Sequence, residues 1–188
     1  MRRGGWLFLA AAIGAALAMI PVAIHLDTRA TQTGASAASD PRPAADPSYP
    51  ADWSSYAAPD GSFELMAPGQ AVARAIQTDR GPGHEVAFDD GRFTAAWTDV
   101  PAPGSDQQLL TDEENSVFHT LAGTVADEEV LSAGDAPGFG LSFSLGGTSY
   151  RMRGFAVQGR FFEVVAAVPS GTDAVGDAER FVTSLELH

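Results

Sequence analysis

The stretch that decides the fold is GFGLSFSLGGTSYRMRGFAVQGRFFEVVAAV, residues 138–168. Apolar and polar side chains alternate along much of it with the two-residue period of a β-strand. The pairs Gly146-Gly147 and Gln158-Gly159 interrupt this alternation, and two-residue hairpin loops favour glycine because their backbone takes positive φ angles. The stretch therefore predicts three antiparallel strands joined by two tight turns.

Two-residue loops also fix the register of these strands, because a slip by one residue would turn every side chain to the other face. Phe143 then lies opposite Tyr150, and Phe155 lies opposite Phe162. One face of the meander collects the apolar side chains of Leu141, Phe143, Leu145, Tyr150, Met152, Phe161 and Val165. The other face is only half apolar, so we expect the two helices of the domain to cover part of it. Its polar half consists of Ser142, Ser144, Arg151 and Arg153.

Shorter apolar runs bounded by Gly, Pro and Asp predict further strands before the meander. These runs are Trp53–Tyr56, Phe63–Ala67, Val72–Thr78, His84–Phe88, Arg92–Val100 and Glu128–Ser132, with a hairpin turn at 80–83 and a loop at 134–140. Strands and helices that are segregated along the chain are typical of the α+β class, with a mostly antiparallel sheet flanked by helices. We predict one such domain over residues 53–188.

Two helices are predicted in this domain. The first begins after Ser105 as N-cap, with Gln108 at the capping-box position. Its apolar stripe consists of Leu110, Val117, Phe118 and Leu121, while residues 112–114, all acidic, are expected to face water near its start. The second buries a face made of Ala174, Ala178, Phe181, Val182 and Leu185.

The N-terminal quarter of the chain predicts a membrane tether. Residues 1–5 carry two arginines and form a cytoplasmic segment, and residues 6–26 are long and apolar enough for a transmembrane helix. Basic residues before that helix predict that the rest of the chain lies outside the cytoplasm. Residues 27–52, rich in Ala, Ser, Thr and Pro, predict a disordered linker. The alternative is a cleaved signal peptide and a secreted domain.

Charge and cysteine content exclude several classes of function. The formal net charge is −13, and a field of that sign repels phosphate backbones, so no nucleic-acid partner is expected. The chain has no cysteine, which rules out disulfides, thiol nucleophiles, thiolate metal sites and iron–sulfur clusters. The sequence also contains no nucleophile elbow, P-loop or dinucleotide fingerprint, so no cofactor and no catalytic residue is assigned.

Two acidic or histidine-containing stretches are candidates for metal binding, and neither is predicted to be a metal site. His84 and Glu85 are adjacent on one strand, so their side chains point to opposite faces. Asp89 and Asp90 fit a turn, and the acidic runs lack the alternating spacing of a calcium loop. His119 lies on the polar side of the first helix, in its last turn, where a cationic side chain is compatible with the helix dipole. Its position therefore needs no functional explanation.

Four segments give the chain a resemblance to bacterial domains similar to PsbP, the extrinsic subunit of photosystem II, whose fold is shared with a nuclear Ran-release factor. They are Phe63–Pro68, Trp97–Pro101, Tyr150–Val168 and Ala178–Leu185. The resemblance covers most of residues 53–188 and implies an antiparallel sheet between helices. It carries over no catalytic site and no role in a photosystem.

The pair Arg151 and Arg153 is the predicted binding site. Two guanidiniums on one face of a strand, beside Ser142 and Ser144, can hold a carboxylate or phosphate through paired hydrogen bonds. The alternative is that both pair with the acids of this chain. We predict a non-enzymatic domain that binds or supports an envelope protein. An exported hydrolase with a site assembled from sequence-distant residues, and a stability module without ligand, are the other hypotheses.

Overall fold

A computed structural model describes residues 50, 52–78, 80–121 and 125–188. Within these residues the chain forms ten strands and two α-helices. They are β1 (Trp53–Ala57), β2 (Phe63–Pro68), β3 (Val72–Thr78), β4 (Gly81–Phe88), β5 (Phe93–Thr98), α1 (Asp106–Thr120), β6 (Val125–Ala133), β7 (Ala136–Leu145), β8 (Thr148–Val157), β9 (Arg160–Pro169), α2 (Ala174–Thr183) and β10 (Glu186–Leu187).

The tether predicted from residues 1–5 and 6–26, and nearly all of the predicted linker, lies outside the described residues. In the part of the chain that is described, neither helix is long and apolar enough to cross a bilayer.

The strands form two antiparallel sheets. The larger has seven strands in the order β3-β4-β5-β9-β8-β7-β6, and the smaller has three in the order β1-β2-β10. This arrangement confirms the predicted α+β class and the mostly antiparallel sheet of the domain. The short strand β10 was not predicted, because two residues carry no periodicity and only their pairing with β2 defines them.

The predicted meander is confirmed with its register. Phe143 pairs with Tyr150 and Phe155 with Phe162. Both residues of the first turn, Gly146 and Gly147, have positive φ angles of 60° and 83°. The meander is longer than predicted, because residues 134–140 are not a loop. A turn at Gly134, whose φ is 61°, leads directly into β7 and joins it to β6.

The predicted hairpin turn at 80–83 is also displaced. Thr78 pairs with Gly81 and Gln77 with Pro82, so the chain reverses between Thr78 and Gly81, and Gly81–Gly83 belongs to β4. Proline is tolerated there because it lies near the end of the strand. Its carbonyl still accepts a hydrogen bond from the Asp99 backbone at 3.0 Å.

Helices cover opposite faces of the large sheet, not one face as expected. On the first face, called the α1 face, α1 packs over Leu141, Phe143, Tyr150, Met152, Phe161 and Val165. On the other, the α2 face, α2 and the small sheet pack over Phe88, Phe93, Trp97, Phe162 and Val164. The meander face that was predicted to be fully apolar needed a cover of its own, and α1 supplies it.

Two details of the predicted burial are wrong. Leu145 is 40% exposed, because it is the last residue before the Gly146-Gly147 turn. Glu113, expected to face water, is buried, and its carboxylate pairs with Arg80. The predicted N-cap is confirmed, since Ser105 Oγ accepts from the Gln108 backbone at 3.2 Å. The Gln108 side chain, however, donates to Asp112 instead of completing a capping box.

Candidate functional site

The predicted residues Arg151 and Arg153 lie on β8, on the α2 face of the large sheet. The small sheet and α2 cover this face mainly over β4, β5 and β9, and they leave an open cleft of about 200 Å³ beside them over β6–β8. We call it the arginine cleft. Its lining includes Glu129 on β6, Ser142 on β7, both arginines, and Glu179 and Val182 on α2.

Strand register explains why these side chains meet. Glu129 pairs with Gly140, and Gly140 pairs with Arg153, so all three lie in one row across the sheet. Because Gly140 has no side chain, Glu129 and Arg153 face each other across an open position. A Cβ atom at Gly140 would lie 3.4 Å from Glu129 Oε2. The glycine therefore forms part of the floor of the cleft.

Both arginines also pair with acids of the chain, as the alternative hypothesis stated. Arg151 Nε lies 3.4 Å from Glu179 Oε2. Arg153 lies 3.7 Å from Glu179 Oε1 and 3.9 Å from Glu129 Oε2, distances longer than a hydrogen bond. The Arg153 side chain is only 21% exposed, so its donors are held in a half-buried position without a close acceptor from these two acids.

The cleft is mixed in charge. On this face of the sheet its lining has two arginines and three acids, Asp127, Glu129 and Glu179, whereas Glu128 pairs in register with Leu141 and interacts with Glu114 on the α1 face. A lone anion therefore meets a repulsive rim. A protein surface that offers one carboxylate to the arginines and basic side chains to the rim would match both signs.

The other residues considered from the sequence are separated by the fold. His84 lies on the α2 face against Trp97, with Nε2 at 2.9 Å from Asp99, whereas Glu85 is buried on the opposite face. His119 lies on α1, across the sheet from Ser142. Among the described residues, no three His, Asp or Glu side chains are grouped so that they could hold a metal ion.

A buried acidic cluster on the α1 face was not predicted from the sequence. Glu85 on β4, Glu113 on α1 and Glu163 on β9 are 1%, 4% and 2% exposed. Arg74 pairs with Glu85 at 2.6 Å, and Arg80 pairs with Glu113 at 2.5 Å. Burial, followed by the charges of Glu113 and Glu85, together raise the pKa of Glu163 to about 8.

One signal in the sequence pointed to this cluster. Glu163 interrupts the apolar run of β9 at a position that shares a face with Phe161 and Val165. A carboxylate on a face that is otherwise fully apolar is expensive to bury and is enriched at functional sites.

No protein family and no curated protein sequence matches the chain. Solved structures that are similar to it include the following two. The solution structure of cyanobacterial PsbP from Synechocystis has a TM-score of 0.49 and 8% sequence identity, covering 78% of this chain and 98% of that one. A crystal structure from Bacteroides thetaiotaomicron has a TM-score of 0.38 and 17% identity, covering 71% of this chain and 48% of that one. The first is a structure of PsbP, the protein to whose related domains the sequence shows a resemblance. At these identities the likeness concerns the fold alone.

Proposed function

We propose that the chain is a membrane-tethered, extracytoplasmic, non-catalytic binding domain, and that its arginine cleft receives an acidic side chain of an envelope protein. One observation supports this most directly. Arg153 is held half-buried in an open cleft, and its contacts with Glu129 and Glu179 are longer than hydrogen bonds. An incoming carboxylate can form the short, charge-assisted hydrogen bonds that these two acids do not.

The rim of the cleft adds specificity for a protein surface. Glu129 and Glu179 have side chains that are 62% and 53% exposed, so they remain available to basic residues of a partner. Complementary charges across an interface favour one partner and suppress wrong ones more than they raise affinity. The tether, predicted from residues 6–26, would present the cleft to proteins at the membrane surface.

The test is site-specific photo-cross-linking in the native envelope, with the photoreactive residue placed at Ser142 inside the cleft. The proposal expects a discrete cross-linked species that is lost in the Arg151→Gln/Arg153→Gln variant. Exposed ion pairs contribute about 0–1 kcal/mol each, so the melting temperature of the variant should change little.

A matched control is the Arg92→Gln/Arg180→Gln variant. It removes the same charge from two exposed arginines that pair with Asp89 and Asp177 outside the cleft. The control should keep the cross-link. A cross-link that survives loss of both cleft arginines, or one lost equally in the control, would reject the arginine cleft as the binding site.

A further inference from the structure

A second cavity lies on the α1 face, over β3, β4 and β5 and away from the strands that α1 covers. Its volume is about 650 Å³, within the range of small-molecule sites. The sheet register places Val72, Ala87 and Thr94 in one row of its lining, with Arg74 and Glu85 in the next. We call it the Glu85 cavity. It is independent of the arginine cleft, which lies on the opposite face of the sheet.

Glu85 is the unusual member of this lining. It is 1% exposed, its Oε1 atom contacts Arg74 without hydrogen-bond geometry, and its Oε2 atom has no hydrogen-bond partner among the described residues. A buried carboxylate oxygen without a donor costs free energy. Burial accordingly raises the pKa of Glu85, although Arg74 acts in the opposite direction.

The charge around the cavity favours a cation. Three acids line it, Glu85, Asp89 and Asp90, against one cation, Arg74, which gives a formal charge of 1 − 3 = −2. Arg92 pairs with Asp89 from outside the lining.

The rest of the lining favours an apolar body attached to that cation. Val72 is 66% exposed at the edge of the cavity, and Ala87 and Thr94 form its floor. We propose that the Glu85 cavity binds a small organic monocation, a primary amine with an apolar body, whose ammonium group takes the place of the Arg74 guanidinium on Glu85. The Arg74 side chain is 53% exposed and can turn into solvent when it is displaced.

The test uses three probes of one shape and different charge: benzylamine, benzyl alcohol and benzoate. The full-length chain in detergent micelles is titrated with each, and the methyl NMR signals of Val72, Ala87 and Thr94 are followed. The proposal expects benzylamine to shift these signals saturably, benzyl alcohol to bind at least tenfold more weakly, and benzoate to leave the signals unchanged. Equal binding of benzylamine and benzyl alcohol would overturn the proposal.

Two variants identify the counter-charge. Glu85→Gln should weaken the binding of benzylamine by about tenfold or more and leave the binding of benzyl alcohol unchanged. Glu64 is an exposed acid on the small sheet, so Glu64→Gln should change the binding of neither probe. Arg74→Gln removes the competing guanidinium and should strengthen benzylamine binding severalfold. A variant that failed to fold would lose benzylamine binding and could not gain it. Arg74→Gln therefore tests the proposal even if Glu85→Gln is unstable. Weaker benzylamine binding in Arg74→Gln would contradict the proposal.

Discussion

Glu163 lies in the middle of β9, and the two arginines that enter the buried acidic cluster pair with its other two members, Glu85 and Glu113. Three carboxyls therefore share two guanidiniums, and the third keeps a proton. The unfolded chain releases this proton near the ordinary pKa of 4.5, and the folded chain releases it only near about 8. Between these values the folded state binds more protons than the unfolded state.

The first prediction follows from that difference. The stabilisation of the folded state by this proton is complete below pH 4.5 and is lost once the pH passes about 8. Between these values it falls by roughly 1.4 kcal/mol per pH unit. Glu163→Gln keeps a neutral side chain of the same size, so it should unfold with a weaker dependence on pH. Above about pH 8 it should be more stable than the wild type by on the order of 5 kcal/mol.

Chemical denaturation of both proteins across this pH range measures the effect. Glu179→Gln serves as the control, because Glu179 is exposed and should leave the slope unchanged. If Glu163→Gln and the wild type lose stability in parallel as pH rises, Glu163 is not the group that holds the proton.

Among the elements, β8 fits between its neighbours because Gly154 has no side chain. A Cβ atom at Gly154 would lie 2.7 Å from Phe161 Cζ and 3.0 Å from the Phe139 ring. The two rings stack with their centroids 6.3 Å apart, directly over the glycine. Gly154→Ala should therefore destabilise the domain by about 1–3 kcal/mol through overpacking.

The same substitution on α2, with the opposite expected effect on stability, provides the comparison. Gly176 is exposed, and a Cβ atom there meets nothing within 4 Å. Gly176→Ala should stabilise the domain by about 0.5–1 kcal/mol, because alanine loses less conformational entropy in a helix. Urea denaturation measures both variants. Similar stability for the two alanine variants would mean that the packing around Gly154 gives way at little cost.

The elements that local chemistry determines were predictable, and those that tertiary contacts determine were not. The turns at Gly146-Gly147 and Gln158-Gly159 fixed the register of three strands and put Arg151 and Arg153 on one face. The position of Glu179 beside them depends on how α2 packs, which no local pattern records. Likewise, Glu113 has the sequence context of an exposed helix residue, yet it is buried and paired with Arg80, which is distant in sequence.

At the scale of the whole molecule, the two candidate sites lie on opposite faces of one sheet. The arginine cleft opens beside α2, and the Glu85 cavity opens beyond the strands that α1 covers. Neither helix extends over the full width of seven strands, so each face keeps an uncovered part. Both openings are thus a consequence of covering a wide sheet with short helices, and they are far enough apart in the fold to be tested by separate variants.

The last prediction concerns where this molecule is placed. A helix of residues 6–26 would span ~30 Å, the thickness of the hydrocarbon core, and the arginines before it favour a cytoplasmic N-terminus. The full-length chain should therefore sediment with membranes, and a tag at its C-terminus should be digested by protease added to spheroplasts. A chain that lacks residues 1–26 should stay in the cytoplasm, with its tag protected until the cells are lysed. Recovery of the full-length domain in the medium would favour signal cleavage, and protection of its tag in intact spheroplasts would reverse the proposed topology.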